Sequence, residues 1–238
     1  MSENQGSCIF TKLLQHLNIE GSVSSLFILS NFPPGSGKSI FGMAFIAEGC
    51  RNNEKCIYIT VEQPPEQIIE QACQFGWDYR GWMSQGLLNV YHIDFKKPFE
   101  MGMFDEVLKN MENTGYSRMV IDSINPLSFK PLPIFYRDTR PVMPERVVTS
   151  EITRANIITL FDTTRSKGIT TVCITQRDSN DVSNMIVEYI GDGLIYLDIS
   201  AIGEEANRTL QIKKLRKTRI NPIQHTFKFA EEGIMITS

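Results

Sequence analysis

Residues 32–39 read FPPGSGKS, and a strand pattern and a helix pattern flank this stretch. It follows a short apolar run, SLFIL at 25–29, and precedes residues 39–52, where apolar side chains recur at helical spacing. A strand, a glycine-rich turn and a helix in this order are typical of a phosphate-binding loop. Gly35 and Gly37 allow backbone N–H groups to approach phosphate oxygens, and the start of the helix favours an anion there. The sequence therefore predicts nucleotide binding.

The loop motif predicts a role for each of its residues. We expect Lys38 to contact the β- and γ-phosphates of ATP and the Ser39 hydroxyl to ligate Mg²⁺. The predicted cradle consists of Pro34, Gly35, Ser36, Gly37, Lys38, Ser39 and Ile40. Phe32 stands where the motif has its first glycine, and Pro33 follows it. Both residues restrict the backbone conformation of the turn. We expect this to affect the geometry of the loop and its affinity for nucleotide more than it affects the residues of the cradle. The alternative is a glycine-rich turn that binds nothing.

Strand and helix patterns alternate along the rest of the chain. Strands are predicted at 56–61, 87–93, 118–122, 170–175 and 193–198, and helices at 65–75, 104–114 and 151–167. This alternation predicts an α/β fold with a mostly parallel sheet and helices on both faces. Proline-rich residues 128–150 predict an irregular loop. The segments RTLQIKKLRK and HTFKFAEEGIMIT predict two C-terminal edge strands joined by a turn.

Composition narrows the class of protein. A chain of 238 residues fits one α/β domain, and its net charge of −3 gives no general attraction to nucleic acid. The five cysteines are scattered without a C-x-x-C pair, which favours reduced thiols over disulfides or a zinc site. We find no secretory signal and no apolar stretch approaching the ~20 residues that cross a bilayer. We therefore expect a cytoplasmic protein with no membrane contact.

Polar residues at the ends of predicted strands are candidates for chemistry. Asp122 ends an apolar strand and suits a second Mg²⁺ ligand, with Ser123 supporting the metal's water shell. Glu62 follows the strand after the loop's helix and suits the base that orients water for ATP hydrolysis. Both acids have an alternative role as caps of the next helix. Gln176 would sense the γ-phosphate or hydrogen-bond a neighbouring loop.

These segments in this order resemble the RecA-like ATPases of the KaiC family, including the archaeal single-domain members described as RadA paralogs. The resemblance covers residues 24–238 and rests on PPGSGKS, YITVEQPPEQIIEQACQFGWD, MVIDS, YIGDGLIYL, RTLQIKKLRKT and HTFKFAEEGIMI. It implies one RecA-like P-loop NTPase domain at 24–238, with C-terminal antiparallel edge strands. Residues 1–23 form a separate N-terminal segment that lacks the family's usual opening.

The resemblance also implies an assembly and a mechanism. Family members form rings or filaments, so we expect a homo-oligomer, such as a hexamer, with ATP at subunit interfaces. The family's K-x-R motif falls on Lys214 and Arg216, which would reach the γ-phosphate of a neighbouring subunit. A pair of acids follows the second strand in the family, and here Gln63 takes the second place beside Glu62, which implies slow hydrolysis. With no second ATPase copy or clock-type phosphorylation segment, a timekeeping role is not predicted.

A basic cluster surrounds the K-x-R motif: Lys213, Lys214, Arg216, Lys217 and Arg219. Strand alternation predicts that Lys214 and Arg216 share one side, with Lys213 and Lys217 beside Leu215 on the other. The cluster would serve a subunit interface, bind nucleic acid, or protect a solvated edge strand. The nucleic-acid interpretation would add Arg137, Arg140 and Arg146 from the proline-rich loop.

Three functional hypotheses follow. The first is a Mg·ATP-dependent ATPase whose slow hydrolysis is coupled to oligomer assembly or to a partner such as DNA or a signalling protein. The second is a nucleotide-binding sensor or scaffold that does not hydrolyse ATP. The third is a RadA-paralog accessory factor that binds single-stranded DNA in repair.

Overall fold

A computed structural model of the chain describes residues 26–30, 35–93, 115–124, 158, 160–175, 187–202, 205–216, 220, 223–230 and 233–237. Within them, nine strands form one sheet in the order β3-β2-β4-β5-β1-β6-β7-β8-β9. The strands are β1 (Leu26–Ser30), β2 (Cys56–Thr60), β3 (Leu88–His92), β4 (Arg118–Asp122), β5 (Thr170–Ile174), β6 (Gly193–Ile202), β7 (Glu205–Leu215), β8 (Gln224–Ala230) and β9 (Gly233–Ile236). The predicted helix at 104–114, the loop at 128–150 and the segment 1–23 lie outside the described residues.

The first six strands are parallel, as predicted. All five residues of β2 are buried, and so are the first four of β4 and the last four of β5. Successive side chains of a strand point to opposite faces, and the apolar residues accordingly form two core clusters. On β2, Tyr58 belongs to one cluster, whereas Ile57 and Ile59 belong to the other. Burial of both faces explains why these strands read as nearly continuous apolar runs.

The helices that pack against the sheet include α1 (Lys38–Arg51), α2 (Pro65–Gln74), α3 (Tyr79–Ser84) and α4 (residues 160–166). The first of them packs close to the central strands at Gly42. A Cβ built there would lie only 3.0 Å from Val120 and 3.2 Å from Ile174. On the other cluster, Phe161 of α4 is fully buried. Of the helices in the described part of the chain, none combines the length and apolar character needed to span a bilayer.

Helix α3 was not predicted from the sequence. Asp78 is its N-cap and accepts a hydrogen bond from the backbone N–H of Gly81 at 3.0 Å. The fully buried Tyr79 follows the cap and fixes the helix to the core, where its hydroxyl donates to the Met43 carbonyl at 2.8 Å. The Asp78 cap and the packing of Tyr79 and Trp82 against the core hold this short helix in place.

The predicted C-terminal antiparallel strands are confirmed, but the described residues contain three of them and not two. The segment predicted as the second strand folds as a hairpin of β8 and β9. Strand β7 is not at an edge, because it pairs with β6 on one side and β8 on the other, both antiparallel. The pairing with β8 covers residues 208–211 of β7, so it ends before the basic cluster begins. Strand β9 takes the edge position.

Candidate nucleotide-binding site

The predicted phosphate loop lies between the end of β1 and the start of α1. Gly35 and Gly37 have φ angles of 91° and 95°, a region that residues with a side chain rarely adopt. Gly37 is the N-cap of α1, so the helix's first N–H groups, which lack intrahelical partners, lie at the loop. Ser36 is fully buried, and its hydroxyl has no hydrogen-bond partner within the described residues. Because buried hydroxyls are nearly always hydrogen-bonded, this loop has the geometry of one that receives a ligand.

Lys38, the first residue of α1, carries a charge that is largely removed from water. The residue is 8% exposed. Burial lowers the pKa of its ammonium group, and the negative charges of Asp122 and Glu62 oppose that shift. Both predicted acids are therefore close enough to act on this cation. Because burying a charge is costly, an anion bound beside Lys38 would offset part of the cost.

The carboxyl group of Asp122, the last residue of β4, is held by two hydroxyl groups. The Tyr58 hydroxyl, on the neighbouring β2, donates to Oδ2 of Asp122 at 2.6 Å. The side chain of Ser39 is the second hydrogen-bond partner. Burial raises the pKa of the Asp122 carboxyl, although both hydrogen bonds lower it. The two predicted metal ligands, Ser39 and Asp122, thus lie together.

This donor set fits Mg²⁺. A hydroxyl and a carboxylate are the oxygen ligands that Mg²⁺ prefers, and this ion is commonly held by one or two protein groups plus phosphates and water. Within the described residues, no group of three or more histidine, cysteine, aspartate or glutamate side chains is suited to hold a metal alone. The site therefore fits a metal that arrives with a phosphate ligand.

Glu62 lies just beyond the end of β2 and is exposed. The hydroxyl of Ser123, which follows Asp122, donates to Oε1 of Glu62 at 2.7 Å. Ser123 was expected to support the metal's water shell, but its hydroxyl is bonded to the predicted base instead. The neighbouring Gln63 is fixed through its backbone, since its carbonyl accepts a hydrogen bond from Thr60 at 2.7 Å. The carboxylate of Glu62 is thereby tethered beside Asp122.

An aromatic side chain that the sequence did not reveal covers the loop. A Cβ built on Gly37 would lie 2.3 Å from Cζ of Phe229, which belongs to β8. The Phe229 ring also makes edge contacts with Phe75 and Phe227, at centroid distances of 6.2 and 5.3 Å. The guanidinium of Arg208 lies 5.5 Å from the Phe229 centroid, and its buried Nε has no partner within the described residues. Phe227 and Phe229 alternate in HTFKF, so a strand would place both on one face. The sequence does not show that this face meets the phosphate loop.

Lys214 and Arg216 lie together, as strand alternation predicted. Lys214 Nζ donates to the carbonyls of Glu188 and Tyr189 at 3.1 and 2.8 Å, and Arg216 donates to the same Tyr189 carbonyl at 2.9 Å. Arg216 also lies 3.9 Å from Asp192. Burial lowers the pKa of Lys214, and the adjacent Arg216 lowers it further. Within this chain, the described contacts of this pair are made with residues 188–192 and not with the phosphate loop.

The predicted side for Lys213 was wrong. A β-bulge pairs Leu194 with Lys214 and Ile195 with Ile212, which leaves Lys213 as an extra residue. Its ammonium lies 5.6 Å from the ring centroid of Tyr196. The Tyr196 hydroxyl donates to Glu188, whose carbonyl contacts Lys214. Lys213 therefore shares the side of Lys214 and not that of Leu215, which packs against the other core cluster.

Several predicted residues lie outside the described part of the chain: Phe32, Pro33, Pro34, Gln176, Lys217, Arg219, Arg137, Arg140 and Arg146. Ile40 is partly buried, and its side chain packs against the core and, as a hydrocarbon, does not make polar contacts. Thr175, just before Gln176, is fully buried, and its hydroxyl has no partner among the described residues. After Ser36, Thr175 is the second buried hydroxyl without a described partner. Because β5 lies between β4 and β1, the Thr175 hydroxyl lies between Asp122 and the phosphate loop.

Comparison with known proteins agrees with this geometry. The sequence is 29% identical to a UPF0273 protein of Aeropyrum pernix and 27% identical to one of Pyrococcus furiosus, in each case over 88% of this chain and 84% of the relative. It is also 28% identical to the circadian clock protein KaiC2 of Synechocystis, over 85% of this chain but only 34% of that protein. The family model described as "ATPase: KaiC" matches residues 20–140 and 138–238. The strand order, the phosphate loop and this match agree, and the chain belongs to the KaiC family of RecA-like ATPases.

Proposed function

We propose that this protein binds Mg·ATP and hydrolyses it slowly, at sites completed by a second copy of the chain. The observation that carries the proposal is the grouping of the buried Lys38 with Ser39 and Asp122 beside a loop whose glycines have positive φ. One domain spanning 24–238 would carry these residues, and Lys214 and Arg216 of a second copy would complete the site.

The residues of the site would have separate roles in the transfer of the γ-phosphoryl group to water. Lys38 and the backbone N–H groups of the loop would hold the β- and γ-phosphates, while Ser39 and Asp122 would hold the metal. Mg²⁺ supplies neutralisation of the phosphate charge as it develops during the transfer. Glu62, fixed by Ser123 at 2.7 Å, would orient the attacking water, and the γ-phosphate leaves as inorganic phosphate.

We expect ATP turnover to be slow because of the residue beside Glu62, the proposed base, and because of its exposure to water. Glu62 is the single acid at the end of β2, because Gln63 follows it. Glu62 is also exposed, so water screens its charge and weakens its action on the reacting groups. A site with strong phosphate ligands and one screened base favours long retention of nucleotide over rapid hydrolysis.

Assembly is supported by a cluster of charged side chains with an exposed cation. Its cations are Arg165, Lys214 and Arg216, and its acids are Asp162, Glu188 and Asp192. Arg165 binds Asp192 in a bidentate pair at 3.0 Å.

The Arg216 side chain is 45% exposed, which leaves it accessible to an anion from a second copy. Tyr189, at 71% exposure, is a large aromatic residue beside Lys214 and Arg216 and suits the core of an interface. The γ-phosphate of a neighbouring subunit's ATP would be a further negatively charged partner for Arg216.

Turnover is tested by steady-state phosphate release from Lys38→Ala, with Lys55→Ala as a matched control. Lys55 is exposed and precedes β2, at the opposite edge of the sheet from the site. We expect Lys38→Ala to abolish turnover, Lys55→Ala to retain it, and Glu62→Gln to bind ATP without hydrolysing it. Parental turnover in Glu62→Gln would remove that residue from the mechanism. Binding without any turnover in the unsubstituted protein would favour the sensor or scaffold hypothesis.

Subunit mixing tests the action in trans. One variant carries Lys38→Ala with intact Lys214 and Arg216, and the other carries Lys214→Ala and Arg216→Ala with an intact loop. Mixed assemblies contain interfaces with one intact half from each variant, so we expect the mixture to recover turnover that neither variant has alone. Mixing without recovery, in assemblies shown by mass to be mixed, would place the two cations outside the site. Sizing with and without Mg·ATP measures whether nucleotide drives assembly.

A further inference from the structure

Tyr58 is a fully buried tyrosine whose hydroxyl meets a site acid. The residue is 0% exposed, and its hydroxyl donates to Oδ2 of Asp122 at 2.6 Å. In the register of β2 and β4, Tyr58 is opposite Val120 and Thr60 is opposite Asp122. Tyr58 and Asp122 therefore belong to the same face of the sheet, and the length of the ring spans the two-residue offset.

Close packing of α1 holds the ring in this place. Gly42 brings α1 close to the sheet, and a Cβ there would lie 3.6 Å from Cε2 of Tyr58. The same helix begins with Lys38 and Ser39. The Tyr58 ring thus lies between the sheet and the helix that carries the predicted phosphate and metal ligands. Its orientation is fixed by packing on both sides.

We propose that Tyr58 is a positioning residue, which holds one oxygen of Asp122 so that the carboxylate faces Ser39 and the metal. The inference rests on the proposed function. Asp122 has two oxygens and a nearby cation, Lys38. Without the Tyr58 hydroxyl the carboxylate could rotate and pair with Lys38, and it would lose the orientation that Mg²⁺ needs.

The test compares Tyr58→Phe with Tyr79→Phe. Tyr79 is also fully buried, and its hydroxyl donates to the carbonyl of Met43 in the same helix α1. Each variant removes one buried hydroxyl that is bonded near α1, but only Tyr58→Phe changes a partner of Asp122. The measurement is the affinity for a fluorescent ATP analogue, titrated with Mg²⁺ and repeated with the metal chelated.

We expect Tyr58→Phe to raise the Mg²⁺ concentration at half-saturation about tenfold, because a hydrogen bond to a charged group is lost. Metal-free affinity should stay within about twofold of the parental value, since the phosphate contacts of Lys38 remain. Tyr79→Phe should leave the Mg²⁺ dependence unchanged. An equal Mg²⁺ dependence in all three proteins would overturn the proposal.

The unsubstituted protein offers a second measurement should Tyr58→Phe not fold. With tyrosine labelled at ring carbon Cζ, the proposal requires the Tyr58 resonance to shift when Mg²⁺ is added to the ATP-bound protein, while Tyr79 stays in place. A Tyr58 resonance that does not respond would overturn the inference. If the unsubstituted protein binds no nucleotide, the proposed function itself fails. If it binds with a Mg²⁺ dependence that Tyr58→Phe leaves intact, only this inference fails.

Discussion

Replacing Arg118 tests how the fold positions the site. Arg118 begins β4, whose other end is Asp122, and its side chain is only 10% exposed. Its guanidinium lies 3.2 Å from Oε1 of Glu48, donates to the Phe45 carbonyl at 3.1 Å, and pairs with Glu54. Glu48 and Phe45 belong to α1, the helix that begins at the phosphate loop. These contacts fasten α1 to β4 at the edge of the sheet remote from the site.

The size of the effect follows from burial. Arg118→Met keeps much of the side-chain volume, but Glu48, whose side chain is 4% exposed, loses its ion pair with Arg118. Removing one partner of a buried ion pair costs about 3–5 kcal/mol of unfolding free energy. For a chain of 238 residues, each kcal/mol lowers Tm by about 2–4 °C, so a fall of about 6–20 °C is expected.

Urea unfolding and calorimetry measure the loss, with Glu54→Gln as the matched control. The Glu54 side chain is 33% exposed, so removing its charge should cost about 1 kcal/mol or less. Replacing both buried partners, Arg118→Met with Glu48→Met, should recover most of the stability, because no buried charge then loses its partner. A loss below about 1 kcal/mol in Arg118→Met, or a double variant no more stable than the single one, would show that the ion pair of Arg118 and Glu48 does not stabilise the fold.

Two further predictions concern the loop and the base. Gly37→Ala places a Cβ against Phe229 and forces alanine to φ 95°, so affinity for a fluorescent ATP analogue should fall about tenfold or more. Adding Phe229→Ala should restore only the steric part, and parental affinity in Gly37→Ala would contradict the loop geometry. Ser123→Ala releases Glu62, so kcat for phosphate release should fall about three- to tenfold with KM unchanged. A parental kcat would show that this hydrogen bond does not position the base.

Much of the fold could be predicted because local signals and burial agree. The parallel strands are buried on both faces, so each reads as an apolar run, and the glycine-rich loop marks the junction of β1 and α1. Asp122 and Glu62 could be predicted as candidates because acids at strand ends meet at one edge of a parallel sheet. The predicted strand at 193–198 is longer in the structure, since β6 continues to Ile202 as the partner of β7.

The remaining features depend on contacts between segments distant in the chain. Phe229 reaches the loop at Gly37 only because the hairpin of β8 and β9 folds back toward α1. Tyr58 looked like one more apolar strand residue, since nothing in CIYIT tells which acid its hydroxyl meets. The bulge at Lys213 depends on the register with β6, which strand alternation alone does not determine.

We propose that the loop at 35–39 binds ATP through Lys38, with Mg²⁺ at Ser39 and Asp122. Isothermal titration of ATP into the unsubstituted protein, Lys38→Ala and Lys55→Ala, with and without Mg²⁺, measures this binding. We expect binding that Mg²⁺ strengthens, a loss of about ten- to hundredfold in Lys38→Ala, and no change in Lys55→Ala. ATP binding of equal strength in all three proteins, or none in the unsubstituted protein, would contradict it.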